Sequence, residues 1–517
     1  MRSLPSPPLP LPEPPTQAPR ADRRVGTPRT GRYIHNLGVR NNTLGGNCAG
    51  EAWKAGPEKE NVGHHLQQSG YRTGFFGKYL NQYGSGPGGE EEQLKHVPRG
   101  WDEWHALSGN SRFYNYKLSV NGEIETHGAD YFKDYLPDLV TNRSLDFIEE
   151  SLQGSQPFFL YASTPAPHEP ADPAPQYAQM YEGLVAPRTP NWNVTKTDRN
   201  YLVATSGLNG PMNETMTGYS DIMYRRRILA LQSVDDMLVR IYNALEKKGA
   251  LDNTYIVYAA DNGFHLGQWG MALDKRLPYE HDIRLPLYLR GPGIQAGSRL
   301  RTSFALNIDM MPTFLAMAQA PIPSYIDGRS ILGDVLKPEP HGMRLRGEAE
   351  SGDPERRDFL LEYNGEGNEV FPYTGCPAYE GNPAWSGTFC HVVPIGNNDP
   401  PEFNTPPYYG MDPWCSCQDV LNNTYTCVRS LDATFDLMYC EWETGETEYY
   451  NVRLDPWNLE NRITELHPAG QQLFHDRLAY LQKCSGNEQC SRGAPTSQFM
   501  LPAQTEGLQP LGDVPPH

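Results

Sequence analysis

TYIVYAADNGFHLGQWG, residues 254–270, joins a run of β-branched, aromatic and small apolar side chains to a polar end formed by Asp261, Asn262 and His265. The run is too short for a helix and stops at turn-forming residues, so it reads as a fully buried strand. A long helical pattern precedes it, from Asp221 to about Lys248, with lysines near its end and Gly249 as its stop. LPLYLRGPG (285–293) follows as another strand. Upstream, GYRTGFFGKYL (70–80) reads as a strand ending in a lysine-bearing turn, LVTNRSLDFIEES (139–151) as a helix, and PFFLYAST (157–164) as a second buried strand. A loop-rich stretch of aromatics and prolines then runs to about residue 219. This alternation predicts an α/β fold with a mainly parallel sheet and helices on both faces.

The texture changes near residue 345. Cysteines, turns and the short strand candidates TYTCVRSL, FDLMYCEW and TEYYNVRL predict a smaller antiparallel sheet, with a helix near QQLFHDRLAYLQKC beside it. The expected organisation is a disordered proline-rich segment over 1–29, an α/β domain over 30–344, a cysteine-rich α+β subdomain over 345–492 and a loose tail over 493–517.

A net charge of −18 with no basic stripe argues against a nucleic-acid binder. The longest basic run, Arg225-Arg226-Arg227, is expected on a solvated helix face. Cys48 stands alone, whereas Cys376, Cys390, Cys415, Cys417, Cys427, Cys440, Cys484 and Cys490 cluster in the last third. Without repeated C-x-x-C pairs they point to disulfides rather than zinc. Five glycosylation sequons, at Asn41, Asn142, Asn193, Asn213 and Asn422, agree with a secretory route. The N-terminal sequence does not: its prolines break every leucine run, so it shows no signal-peptide core. No later window is long and apolar enough for a membrane span.

Ligands gather at the carboxyl ends of strands in open α/β sheets. Asp261 and Asn262 stand at such an end, as does His168 in TPAPHEP. A carboxylate beside an amide oxygen suits a hard cation, although Asp-Asn-Gly by itself equally suits a tight turn. Taken singly, His168, Lys78 and Lys275 read as solvated loop residues.

Together these segments resemble the sulfatase family over roughly residues 30 to 490. GYRTGFFGKYLNQYG resembles its G-Y-x-T-x-x-x-G-K segment, and PFFLYASTPAPHEP its P-F-F strand and P-H loop. YAADNGFHLGQWGMALDKRLPYEHDIRLPLYLRGPG resembles its D-N-G-x-H-x-G element and the K-x-x-x-x-E-x-x-x-R-x-P-L that follows, and TEYYNVRLDPWNLENR resembles a segment of its C-terminal sheet. NNTLGGNC, NNTYTCVR and LQKCSG are similar to the branch that acts on N-acetylglucosamine 6-sulfate. The resemblance implies an alkaline-phosphatase-like core, bound calcium, and lysosomal hydrolysis of a 6-sulfate ester in heparan or keratan sulfate. It implies Asp261 and Asn262 as calcium ligands, Lys78, His168 and Lys275 as catalytic groups around the sulfate, and His265 as a substrate contact.

The family pattern also includes a first strand ending in paired aspartates and a C-x-P-S-R segment whose cysteine becomes the formylglycine nucleophile. Here TGRYIHN (30–36) is preceded by PPTQAPRADRRVGTPR, with no cysteine before Cys48 and a solitary Asp22. The expectation is therefore a chain with no nucleophile of its own, half a calcium site, and at most trace activity as written. The alternative is a glycoprotein that binds sulfated glycans without turnover. A superfamily phosphodiesterase is less well matched, since those enzymes use more histidine ligands. An extracellular endosulfatase would carry a long basic insertion that this chain lacks.

Overall fold

The computed structural model describes residues 27–206, 211–299, 304–336, 358–365, 389–393, 414–431 and 435–492. The proline-rich segment before residue 27, the tail after residue 492 and Cys376 lie outside them, as do the side chains of Cys390, Cys415 and Cys417. The strands are β1 (Arg72–Lys78), β2 (Glu103–Leu107), β3 (Lys117–Val120), β4 (Glu123–Thr126), β5 (Phe158–Ser163), β6 (Ile256–Ala259), β7 (Leu287–Arg290), β8 (Asp358–Tyr363), β9 (Phe389–Val393), β10 (Trp414–Asp419), β11 (Tyr425–Leu431), β12 (Asp436–Trp442) and β13 (Thr447–Asn451).

The central sheet runs β4-β3-β2-β1-β5. It is mixed: β1 lies parallel to β2 and β5, whereas β2–β3 and β3–β4 are antiparallel. The β3–β4 hairpin turns on Asn121-Gly122, both at positive φ, the pair that a two-residue hairpin favours. Alternation along β1 separates its two phenylalanines. Phe75 packs with Trp53, Trp101, Trp104, Val62 and Met311, while Phe76 packs on the opposite face with Val140 and Phe147. Helices Val62–Gln68 and Met310–Met317 therefore cover one face, and Leu136–Ser151 covers the other, backed by the long helix Glu214–Lys247. That long helix starts seven residues ahead of Asp221, because Asn213 caps it by accepting from the Met216 N–H.

Two expectations change here. β5 and β6 are half-buried rather than fully buried strands. Among the described residues β5 pairs with β1 alone and β6 only with the antiparallel β7, so each leaves an outer edge open. A cleft of about 1360 Å³ runs between them. The arginine run is also not a solvated face. Arg226 is buried and pairs with Asp172 at 2.6 Å, Arg225 donates to the Met180 carbonyl, and Arg227 donates to the Pro167 carbonyl. The loop after β5 folds over this side of the helix, and its carbonyls take the guanidinium protons that water would otherwise take.

The C-terminal part forms an antiparallel sheet, β13-β12-β11-β8, with helix Pro468–Leu481 against it and a separate β9–β10 pair. Disulfides join Cys427 to Cys440 across β11 and β12, and Cys484 to Cys490; Cys48 is buried and belongs to neither bridge. One apolar cluster runs from Tyr33, Trp269 and Tyr279 into Phe359, Tyr439 and Tyr450, so this sheet shares its core with the α/β part. Within TGRYIHN, His35 contacts Glu362 while Asn36 donates to Asp327 and to the Cys484 carbonyl, tying the two parts together. No helix among the described residues is long and apolar enough to cross a membrane.

Candidate active site

β1 and β5 run side by side in the same direction, with Gly77 opposite Ser163. Their carboxyl ends deliver Lys78 and the loop that carries His168 to one edge of the sheet. Only glycine fits at position 77: its φ is +106°, and a Cβ would lie 2.1 Å from the Ser163 carbonyl oxygen. β6 brings Asp261 and Asn262 to the same cleft, which Lys78, His168, Lys275 and Arg227 also line. Asp261-Asn262-Gly263 does not close into a tight turn. The chain runs on to the 281–282 segment, with Gly263 N–H donating to the Asp282 carbonyl at 2.8 Å and Phe264 N–H to that of His281 at 2.9 Å.

The cleft gathers Lys78, His168, Lys275 and Arg227 around the single exposed carboxylate of Asp261. Lys78 donates to the Gly109 carbonyl at 3.0 Å and to Asn110 Oδ1 at 3.3 Å. Burial drives its ammonium down to about 7; the nearby thiol of Cys48 opposes that shift and Lys275 adds to it. Burial also holds His168 well below its ordinary value, with Lys275 next. His168 Nδ1 lies 2.9 Å from the Glu169 carbonyl oxygen, so Nδ1 carries the hydrogen and Nε2 is the nitrogen that takes up a proton. Burial brings Arg227 down to about 10; its guanidinium lies 3.8 Å over the Phe264 ring. An anion entering this cleft relieves all these shifts at once, because each charged form regains the partner that burial removed.

Asp261 is exposed to the cleft, and its carboxylate has no hydrogen bond or ion pair among the described residues. Asn262 donates its Nδ2 hydrogen to the Gly263 carbonyl at 2.7 Å, which leaves Oδ1 as a donor atom for a cation. Two such oxygens fit a hard cation, but calcium takes roughly six to eight. A different trio, His265, His281 and Asp282, has potential metal-binding atoms within 4.8 Å of one another. Its Asp282 carboxylate already accepts from His265 Nδ1 at 3.0 Å and from the Leu277 N–H at 2.8 Å, and the trio lies behind the cleft.

The structure thus brings together Lys78, His168, Lys275, Asp261 and Asn262, but not His265. That ring is 0% exposed and lines neither cavity; through Asp282 it braces the loop that presents Asp261 and Asn262. Arg227 was expected on a solvated helix face, and Glu169 was not singled out from the sequence. Glu169 follows His168 directly, and burial, then Asp274, push its carboxyl up to about 7; one of its oxygens is buried without a hydrogen-bond partner. Cys48 does not line the cleft and approaches the Asn81 carbonyl at 3.6 Å. Among the sequons, Asn142 is exposed, whereas Asn193 spends both amide atoms on the Met212 backbone.

Converging cations beside a hard-oxygen pair at the carboxyl ends of these strands suit an anionic ligand. The sulfatase family model matches residues 28–320, and the chain belongs to the sulfatase family. It is 39% identical over 461 residues to the N-acetylglucosamine-6-sulfatase of Bos taurus, covering 88% of this chain and 74% of that protein. The Homo sapiens protein of the same name is 39% identical, with 88% and 75% covered. A solved structure of a protein in complex with its substrate D-glucosamine-2-N,6-O-disulfate aligns with TM-score 0.62 at 20% identity, over 90% of this chain and 89% of that one, a likeness of fold.

Proposed function

We propose that this chain binds N-acetylglucosamine 6-sulfate units of heparan or keratan sulfate in the lysosome and belongs to an enzyme that hydrolyses their 6-sulfate ester. The observation that carries the reading is the convergence of Lys78, His168, Lys275 and Arg227 on one cleft, with no ion pair to Lys78 among the described residues. Asp261 and Asn262 would hold calcium together with further oxygens, and the ion would supply positive charge to the cleft. Lys78 and Lys275 bind the sulfate oxygens, and His168 Nε2 gives its proton to the departing sugar oxygen. The five sequons are glycosylation sites on this reading.

A second reading is favoured by residues 14–29, which directly precede TGRYIHN and contain no cysteine. The polypeptide as written then holds the sulfated sugar without releasing sulfate, since the covalent route needs its nucleophile. One experiment separates the two: isolate the protein from its natural source, map peptides upstream of Thr30 by mass spectrometry, and assay sulfate release from N-acetylglucosamine 6-sulfate. A formylglycine peptide accompanied by sulfate release supports the hydrolase. Binding of the sugar with neither of these supports the second reading, and no binding at all overturns both.

A further inference from the structure

Behind His168 a second cavity of about 1050 Å³ opens, and His168 and Ser111 line both spaces. The wall between the two is the 109–111 turn, whose Gly109 carbonyl and Asn110 side chain accept from Lys78. A sulfate held by Lys78 and Lys275, with its bridging oxygen at His168, therefore has its alcohol on the side of this second cavity.

We infer that this cavity seats the sugar of the substrate, and that Arg112 in its wall binds a second anionic group of the glycan, a carboxylate or another sulfate. The inference rests on the sulfate-ester reading of the neighbouring cleft and adds to it what lies beyond the ester.

The walls suit a sugar. The half-buried ring of Tyr114 is fixed beside Tyr135 at 5.4 Å between centroids and offers an apolar face, and Asn115 offers an amide. The charges on those walls are nearly all closed. Glu90 is held by Lys117 at 2.6 Å and by Ser108 at 2.7 Å, and Asp172 is held by Arg226 at 2.6 Å. The buried Glu169 carboxyl, with its raised proton affinity, adds little negative charge below neutral pH. Arg112 is different: it is exposed and has no ion-pair or hydrogen-bond partner among the described residues. Its planar fork of donors matches a carboxylate or a sulfate. A neutral sugar leaves that charge unused, whereas a glycan with a second anion satisfies it.

The test uses the full chain and calorimetric titration at low ionic strength with three ligands. They are N-acetylglucosamine 6-sulfate, glucosamine carrying both 2-N- and 6-O-sulfate, and a disaccharide of the 6-sulfated unit with a uronic acid. The expected result is that at least one doubly charged ligand binds about five- to tenfold tighter than the first, the range of a charge-assisted contact at a partly exposed site. Whichever ligand shows the gain identifies the source of the second anion. Arg112→Ala should remove that gain, with a much smaller change in N-acetylglucosamine 6-sulfate affinity, while Arg112→Lys restores part of it. Equal affinities for all three ligands, or a gain that survives Arg112→Ala, overturn the inference. Lys78→Ala isolates the reading beneath it: there all three ligands should lose affinity together. If wild type binds none of them, that underlying reading fails, and this one with it.

Discussion

Arg429 and Lys78 are both cations withdrawn from water, and their surroundings differ in the one respect that matters. Arg429 is 0% exposed, with Asp436 at its Nε and Glu280 2.9 Å from Nη1. Burial acts to lower its proton affinity, and the two carboxylates more than reverse that, so it ends raised. Among the described residues Lys78 has hydrogen bonds only to a carbonyl and an amide oxygen, and burial outweighs the opposing pull of Cys48 and Asp261. The first arrangement is closed: β11 and β12 supply Arg429 and Asp436, Glu280 comes from the segment after Lys275, and the group fastens the C-terminal sheet to the α/β core. The second is open, and an open buried charge is a place for a ligand.

Breaking the closed group should have the largest effect. Arg429→Met leaves Glu280 and Asp436 buried without their cation, and urea unfolding should register a loss of about 3–5 kcal/mol. A loss well under that range would mean the carboxylates find other partners and the contrast with Lys78 is weaker than drawn here.

Glu448 sharpens the comparison, because it is a buried acid in a closed setting whose proton affinity is nonetheless raised. It accepts from the Asn200 N–H at 2.7 Å and from Tyr279 Oη at 2.9 Å, and burial pushes it up to about 7 against the opposing pull of Arg199. The folded protein therefore holds this proton through a range in which the unfolded chain has already released it. Stability from this group is full below the ordinary glutamate range and falls as pH rises toward about 7. Unfolding measured from mildly acid to mildly alkaline pH should show a decline of up to about 3 kcal/mol. Glu448→Gln, which keeps the acceptor but cannot titrate, should flatten that slope.

Filling the open group should have a smaller effect with its own pH signature. Inorganic sulfate at roughly ten to thirty times its Kd should stabilise the wild-type protein by about 1.5–2 kcal/mol in thermal unfolding. The gain should shrink as pH rises through about 7, where Lys78 loses its proton. Lys78→Met should abolish the gain, and a stabilisation that persists in this variant would place the anion elsewhere.

Much of this was legible locally. The spacing in GYRTGFFGKYL suffices for β1 and for Lys78 at its end, and the apolar periods of 139–151 and 221–248 suffice for the two helices on one face. The Asn121-Gly122 hairpin, which marks the antiparallel side of the sheet, was not among the elements expected from the sequence. Other features had no local signal. Arg225-Arg226-Arg227 resembles any solvated face until the loop at 167–180 folds across it. His265 stands three residues from Asn262, yet its ring points away from the cleft into a pair with Asp282. Glu169, Glu448 and Arg112 are ordinary charged residues in sequence, and only their surroundings set them apart.

By itself the sequence determined element types, the lysine and histidine at strand ends, and membership of the sulfatase family, because these depend on short-range periodicity and on motif order. The tertiary structure alone decided which charges are closed and which are open. That distinction depends on partners hundreds of residues apart, such as Arg199 with Tyr450 or His35 with Glu362, and on water removed by chain that packs in from elsewhere.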